Sequence, residues 1–327
     1  MEYVDITTIP GIEIGNAQDI DAATGCTVVL CKKGAVAGVD VRGGAPGTRE
    51  TDLLNPMNLI DKVHGVLLAG GSAFGLDAAS GIMEYLEKMG VGYDTVVAKV
   101  PIVTGAVLFD LAIGSSQIRP DKKMGYEACI CATEGRFSEG SQGAGTGASV
   151  GKILGMESAM KGGLGSCCIK MGSLYVGAVV AVNSLGDILD PETNKIIAGA
   201  LKSDGRTFLN TEEFIINNLG GSEKIHVENT TIGVVITNGI FIKAQANKIA
   251  SMAHNGYART IRPAHTMHDG DTIFVLSTGE EMADVSAVGV AAARVVEQAV
   301  IRGVIKAGGI KGLKSVTDIA LVEDYGL

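Results

Sequence analysis

Tryptophan is absent from the 327-residue chain. So is any run of the ~18 apolar residues that a membrane-crossing helix needs. The opening stretch, MEYVDITTIPGIEIG, lacks the basic segment followed by an apolar segment that marks a secretory leader, so a cytoplasmic protein is expected. Basic residues never cluster beyond a few together and the net charge is −9, which makes nucleic acid and anionic membrane poor partners. The six cysteines have no CxxC spacing. Cys129/Cys131 and Cys167/Cys168 therefore do not form a zinc site and read as buried or free thiols, and no cofactor or metal is expected.

Glycine, by contrast, is plentiful: 46 residues, about twice the usual ~7% share and without a triplet period. That density implies tight turns and close backbone approaches. A hydrophobic content of 46% with 19% charged residues describes a globular chain with ample material for a core. Apolar runs predict strands over Val63–Ala69, Leu174–Val182, Thr230–Thr237 and Thr272–Ser277. Helical spacing of Ala78, Ala79, Ile82, Met83, Leu86 and Met89 predicts a helix stopped by Gly90. Two more helices are predicted over Lys243–Arg262, ended by Pro263, and over Glu280–Lys306. Gly135–Gly151 reads as a polar, glycine-rich loop, and the polar interval from Gly186 to Glu228 as a surface excursion. Mixed elements of this kind give a layered α/β or α+β domain.

Several stretches carry chemistry on paper. Gly147-Ala148-Ser149-Val150-Gly151 matches the G-x-S-x-G elbow of serine hydrolases, but its polar upstream segment is no buried strand, so Ser149 stands as a rival nucleophile only. Gly151-Lys152 looks like the end of a nucleotide-binding loop, yet Thr146 and Ile153 occupy positions that need Gly and Ser or Thr. The Gly70–Gly75 turn lacks the full dinucleotide pattern and suits close packing. In His265-Thr266-Met267-His268-Asp269-Gly270-Asp271, two carboxylates two residues apart can bracket a nucleophile; the Asp-Gly pair reads equally as a turn. His254, His265 and His268 with these aspartates match no known metal spacing.

The remaining stretch is Asn229-Thr230, a polar pair directly before an apolar run. Its ordinary reading is a strand starting after a loop. If the bond between them breaks, Thr230 holds both a hydroxyl and an α-amine whose unperturbed pKa of roughly 8 suits it as a base for that hydroxyl.

Taken together, Pro10–Gly15, Gly25–Val29, Gly38–Glu50, Gly70–Leu76, Gly145–Gly147, Lys161–Ser166, Ala181–Asn183 and Arg262–Asp271 resemble the DmpA family of self-processing aminopeptidases over nearly the whole chain. That group, peptidase family S58, contains L-aminopeptidase/D-esterases, β-peptidyl aminopeptidases and nylon-oligomer hydrolases. The resemblance implies a single hydrolase domain with a four-layer αββα sandwich of N-terminal-nucleophile type. It implies self-cleavage at Asn229-Thr230 into segments 1–229 and 230–327, with Thr230 as nucleophile. Asn183 falls at the position of an oxyanion-stabilising amide, Asp269 and Asp271 at the pair behind the nucleophile, and Lys152 at a nearby lysine. The implied substrates are short peptides or amino-acid amides, and the implied assembly is a homotetramer of processed protomers. An uncleaved, non-catalytic binding protein of the same fold is the alternative from another class.

Overall fold

The computed structural model describes residues 1–132, 138–218 and 229–319. Among the described residues, ten strands share one hydrogen-bonded network: β1 (Glu2–Val4), β2 (Glu13–Asp19), β3 (Thr24–Val41), β4 (Thr48–Arg49), β5 (Lys62–Ala69), β6 (Val103–Val107), β7 (Gly163–Met171), β8 (Leu174–Val182), β9 (Ile232–Gly239) and β10 (Thr272–Glu281). Their order is β1-β7-β8-β9-β10-β3-β5-β6-β4, with β2 also paired to β3.

The long strand β3 explains the layering. Its Val36–Val41 end pairs with β10, whereas its Thr24–Leu30 end pairs with β2 and β5, and the register shifts between Leu30 and Ala35. One strand thus runs from the first half-sheet into the second. The halves face each other across a core of Val179, Ile232, Val234 and Phe274 from one side and Ile14, Val29, Val66 and Leu68 from the other.

Successive strand residues point to opposite faces, so each half-sheet has a second apolar face to cover. Cys26, Val28 and Leu30 of β3 pack under helices α1 (Ala78–Lys88) and α2 (Lys122–Ile130). On the other half, Val176, Ala178, Val180, Ile273 and Val275 pack under two longer helices, Lys243–Thr260 and Val285–Ile305. With the short helix Thr211–Asn217 designated α3, these are α4 and α5. The result is a four-layer αββα sandwich.

Glycine makes the layers close. A Cβ on Gly165 would collide with the Ala299 carbonyl of α5, and one on Gly81 with the Lys122 carbonyl of α2. Both contacts put backbone against backbone, which only glycine permits.

Helix α5 starts at Val285 rather than Glu280, because Glu281 pairs with Gly239 at the end of β10 and the Asp284 carboxylate caps the helix by accepting from Ala287 N–H at 2.9 Å. Asp284→Ala should cost about 1 kcal/mol of stability, read as a lower urea midpoint at unchanged slope; an unshifted midpoint would show that the cap contributes nothing.

The interval from Gly186 is not a surface excursion throughout. Asp187–Leu189 and Ile196–Ala198 form buried strands, with Ile188 and Ile197 in the core beneath α4 and α5. The buried Asp187 carboxylate satisfies Ala200 N–H and both the N–H and hydroxyl of Thr211, so a polar residue organises an interior segment. Residues 219–228 lie outside the described residues. The glycine-rich loop likewise turns inward: Gly143–Val150 is buried, while residues 133–137 lie outside the description.

Candidate active site

Asn183, Thr230, Asp269 and Asp271 are far apart in sequence and adjacent in space because of strand direction. Strand β9 runs antiparallel to β8 and parallel to β10, with Ala181 opposite Ile232 and Ile232 opposite Thr272. The end of β8 and the beginnings of β9 and β10 therefore share one sheet edge. Asn183 follows β8, Thr230 precedes β9, and the two aspartates precede β10.

The junction is buried and tightly held. Asn229 N–H donates to His268 O at 2.9 Å, and Asn229 O accepts from Gly270 N–H at 2.8 Å, as in a parallel ladder. Thr230 N–H donates to Asn183 O at 2.8 Å. The Thr230 hydroxyl donates to Asn229 O, the carbonyl of the bond that precedes it. Thr230 is only 5% exposed and Asn229 is fully buried, so this hydroxyl and this carbonyl meet with almost no water.

Lys152 reaches the same point from the glycine-rich loop. Its ammonium donates to Asn183 Oδ1 at 2.9 Å and contacts Asn183 O at 3.3 Å, so Thr230 N–H and Lys152 Nζ share one carbonyl acceptor. Burial lowers the Lys152 pKa to about 7, against the opposing pull of Asp269, Asp110 and Asp271. Asn183 spends one side-chain N–H on Phe109 O at 3.1 Å, while its Oδ1 also accepts Ser149 N–H at 3.0 Å.

The two carboxylates stand behind the junction and take hydrogen bonds from its surroundings rather than from the Thr230 hydroxyl. Asp271 Oδ1 accepts Thr231 N–H at 2.8 Å, and its Oδ2 accepts His265 N–H at 3.0 Å and meets His265 Nδ1 at 2.9 Å. Asp269 Oδ2 accepts the N–H and hydroxyl of Thr266 at 2.9 and 2.6 Å. Burial, and then the charge of Asp271, raises the Asp269 pKa above the usual carboxylate range.

Ser149 is buried, its hydroxyl bonds among the described residues to Asn183 Oδ1 alone, at 3.4 Å, and the segment ahead of it is a short turn rather than a strand. No base among the described residues bonds to it, which argues against the elbow reading. Likewise, no His, Cys, Asp or Glu grouping among the described residues has the arrangement of a metal site. An open cleft of about 710 Å³, lined in part by Ile113, Leu154, Met156, Leu201 and Leu313, does not include Thr230 in its lining.

Residues 5–317 match Peptidase family S58. The chain belongs to that family. An uncharacterized aminopeptidase of Mycobacterium leprae is 43% identical over 290 residues, covering 84% of this chain and 78% of the relative. A 6-aminohexanoate-oligomer endohydrolase of Kocuria sp. is 32% identical over 276 residues, covering 83% of this chain and 74% of the relative. The fold matches that of the L-aminopeptidase D-Ala-esterase/amidase from Ochrobactrum anthropi, described as a variant of the Ntn hydrolase fold, with TM-score 0.68 and 19% identity over 92% of this chain and 86% of that one.

Around this S58 junction the structure adds residues that sequence reasoning passed over. The Gly270 amide reaches Asn229 O, but a backbone N–H leaves no mark in sequence, and the Asp-Gly pair reads there as a turn. His265, weighed as a metal ligand, instead clamps Asp271 from a left-handed backbone (φ 60°) and stacks edge-on with His254, ring centroids 4.8 Å apart. Deeper still, Lys161 is fully buried and caps the carbonyls of Gly145, Ala148 and Gly162 at 2.6–3.0 Å, fixing the loop that carries Ser149 and Lys152. Asp110 secures the neighbouring turn through Gly71 N–H and the Thr24 hydroxyl, both at 2.7 Å.

Proposed function

We propose that this S58 hydrolase cuts its own chain between Asn229 and Thr230 and then acts as an N-terminal threonine amidohydrolase of aminopeptidase type. The observation that carries the reading is the Thr230 hydroxyl against the Asn229 carbonyl, in a dry site that also holds Asn183, Lys152, Asp269 and Asp271. Amide hydrolysis is the chemistry common to the names of the aminopeptidase and oligomer-hydrolase relatives. Short peptides and amino-acid amides are the proposed substrates.

In the uncut chain, Thr230 Oγ attacks the Asn229 carbonyl carbon. The new C–O bond replaces the C–N bond, and the hydroxyl proton ends on the Thr230 nitrogen. Water then hydrolyses the ester, giving a carboxyl terminus at Asn229 and a free hydroxyl and amine on Thr230. In turnover that amine takes the Oγ proton as Oγ attacks a substrate amide, and passes it to the departing amine; water then hydrolyses the ester on Oγ, releasing the acid and restoring the hydroxyl. Asn183 has a second side-chain N–H to offer the developing oxyanion. Asp271 fixes the backbone beside the nucleophile through Thr231 N–H, and Asp269 stiffens the Thr266–Asp269 turn.

Denaturing mass spectrometry of freshly purified and incubated protein tests the first step. Two species are expected, spanning 1–229 and 230–327, the second beginning with Thr. A single uncut chain that persists on incubation and still hydrolyses amides would overturn the reading. An uncut and inactive chain would favour the binding-protein alternative.

A further inference from the structure

Self-cleavage puts negative charge on the Asn229 carbonyl oxygen, deep in the sheet where no solvent can spread it. Asn183 is the side-chain amide that the family resemblance assigns to oxyanion stabilisation. In the uncut chain one Nδ2 hydrogen donates to Phe109 O, and Oδ1 accepts from Ser149 and Lys152. Besides the Thr230 hydroxyl, the N–H of Gly270 touches Asn229 O, at 2.8 Å.

We propose that the Gly270 backbone amide is the oxyanion donor of self-cleavage. This rests on the reading of Thr230 as a self-cleaving nucleophile. As Thr230 Oγ adds to the Asn229 carbon, the C=O π pair moves onto oxygen, and Gly270 N–H holds that oxygen. When the pair returns, the C–N bond breaks and the Thr230 nitrogen takes the proton.

The donor is held rigidly from behind. Arg42 and Gly43 N–H donate to Asp271 O at 2.9 and 3.3 Å, Gly44 N–H to Thr266 O at 3.0 Å, and Ala45 N–H to Asp269 O at 2.8 Å. A donor fixed in this way needs no reorganisation when charge appears. The residue must also be glycine, since a Cβ at position 270 would lie 2.7 Å from Thr230 Oγ1 and 2.7 Å from Ala45 O. One position thus supplies the N–H for the carbonyl and the space for the attacking oxygen.

Replacing Gly270 by glycolic acid during cell-free synthesis turns the Asp269–Gly270 amide into an ester and deletes that N–H alone. Disappearance of the full-length chain should slow by about 10²-fold. The ester also weakens Asp269 O as acceptor for Ala45, so lactic acid at position 45, which deletes the Ala45 N–H, is the control and should slow cleavage less than about threefold. Cleavage of the position-270 ester within about threefold of wild type overturns the proposal, as does an equal slowing by the control.

If the ester chain is sensitive to thermolysin, the decision passes to uncut Thr230→Ala protein. A scalar coupling between Gly270 ¹⁵N and Asn229 ¹³C′ across the hydrogen bond supports the assignment, and its absence overturns it. A wild-type chain that never cuts sinks the reading of Thr230 itself, whereas a wild-type chain that cuts as fast as its position-270 ester sinks only the role of Gly270.

Discussion

Thr230→Ala should leave a single 327-residue chain that never divides and has lost at least about 10³-fold of its amidase activity. The substitution removes the hydroxyl needed for the first reaction and, by blocking that reaction, withholds the amine needed for the second. The fold should tolerate the change. Among the described residues the hydroxyl bonds to Asn229 O, which keeps its bond from Gly270 N–H, so the stability change should stay near 1 kcal/mol. Thr230→Ser retains both functional groups and should still divide. Denaturing mass spectra and a chromogenic amino-acid amide provide the readouts. Division of the Ala variant, or wild-type turnover by it, would exclude Thr230 as nucleophile.

Lys152→Met should move the acidic limb of the pH–rate profile upward by about 1–2 units. The Lys152 ammonium and the Thr230 nitrogen meet at one acceptor, Asn183 O. A cation there opposes protonation of the new α-amine and favours its base form. Removing it leaves the amine facing Asp269 and Asp271 uncompensated, so its pKa rises and a higher pH is needed to free it. Turnover at pH 7 should fall by about tenfold or more. An unshifted limb would deny Lys152 this role.

The same residue also leaves a mark on stability. Its pKa falls from 10.5 when exposed to about 7 when folded. Between those values the unfolded chain binds more protons, so the wild-type protein gains stability as pH rises through that window, at most about 1.4 kcal/mol per pH unit for each such group. Lys161 shows the same depression to about 7 through burial. Lys152→Met should therefore reduce the slope rather than abolish it.

Strand β8 was legible as an unbroken apolar run because both its faces are buried, and α1 and α4 by helical spacing, because one-sided burial writes itself into the side-chain pattern. The start of α5 was not, since Glu280 and Glu281 fit the edge of a helix as well as the end of a strand, and only pairing with Gly239 decides between them. Burial of Asp187 and Lys161 was hidden for a related reason. Each is made tolerable by backbone partners that sequence cannot display. At the site, Asn183, Thr230 and the aspartates were reached by resemblance, and strand order supplies the physical reason they meet. Gly270 and His265 were missed because one acts through its backbone and the other sits in a left-handed conformation that no composition rule anticipates.

The strand order has one more consequence. Strands β9 and β10 belong to the segment that follows Thr230, and they lie between β8 and β3, which belong to the segment before it. Helices α4 and α5 of the later segment close the core over β7 and β8. The two products of a cut at Thr230 would be interleaved like clasped fingers, and neither could leave without opening the sheet on both sides. Under native conditions the divided protein would therefore migrate, melt and weigh as one object. Only a denaturant would reveal that it is two chains.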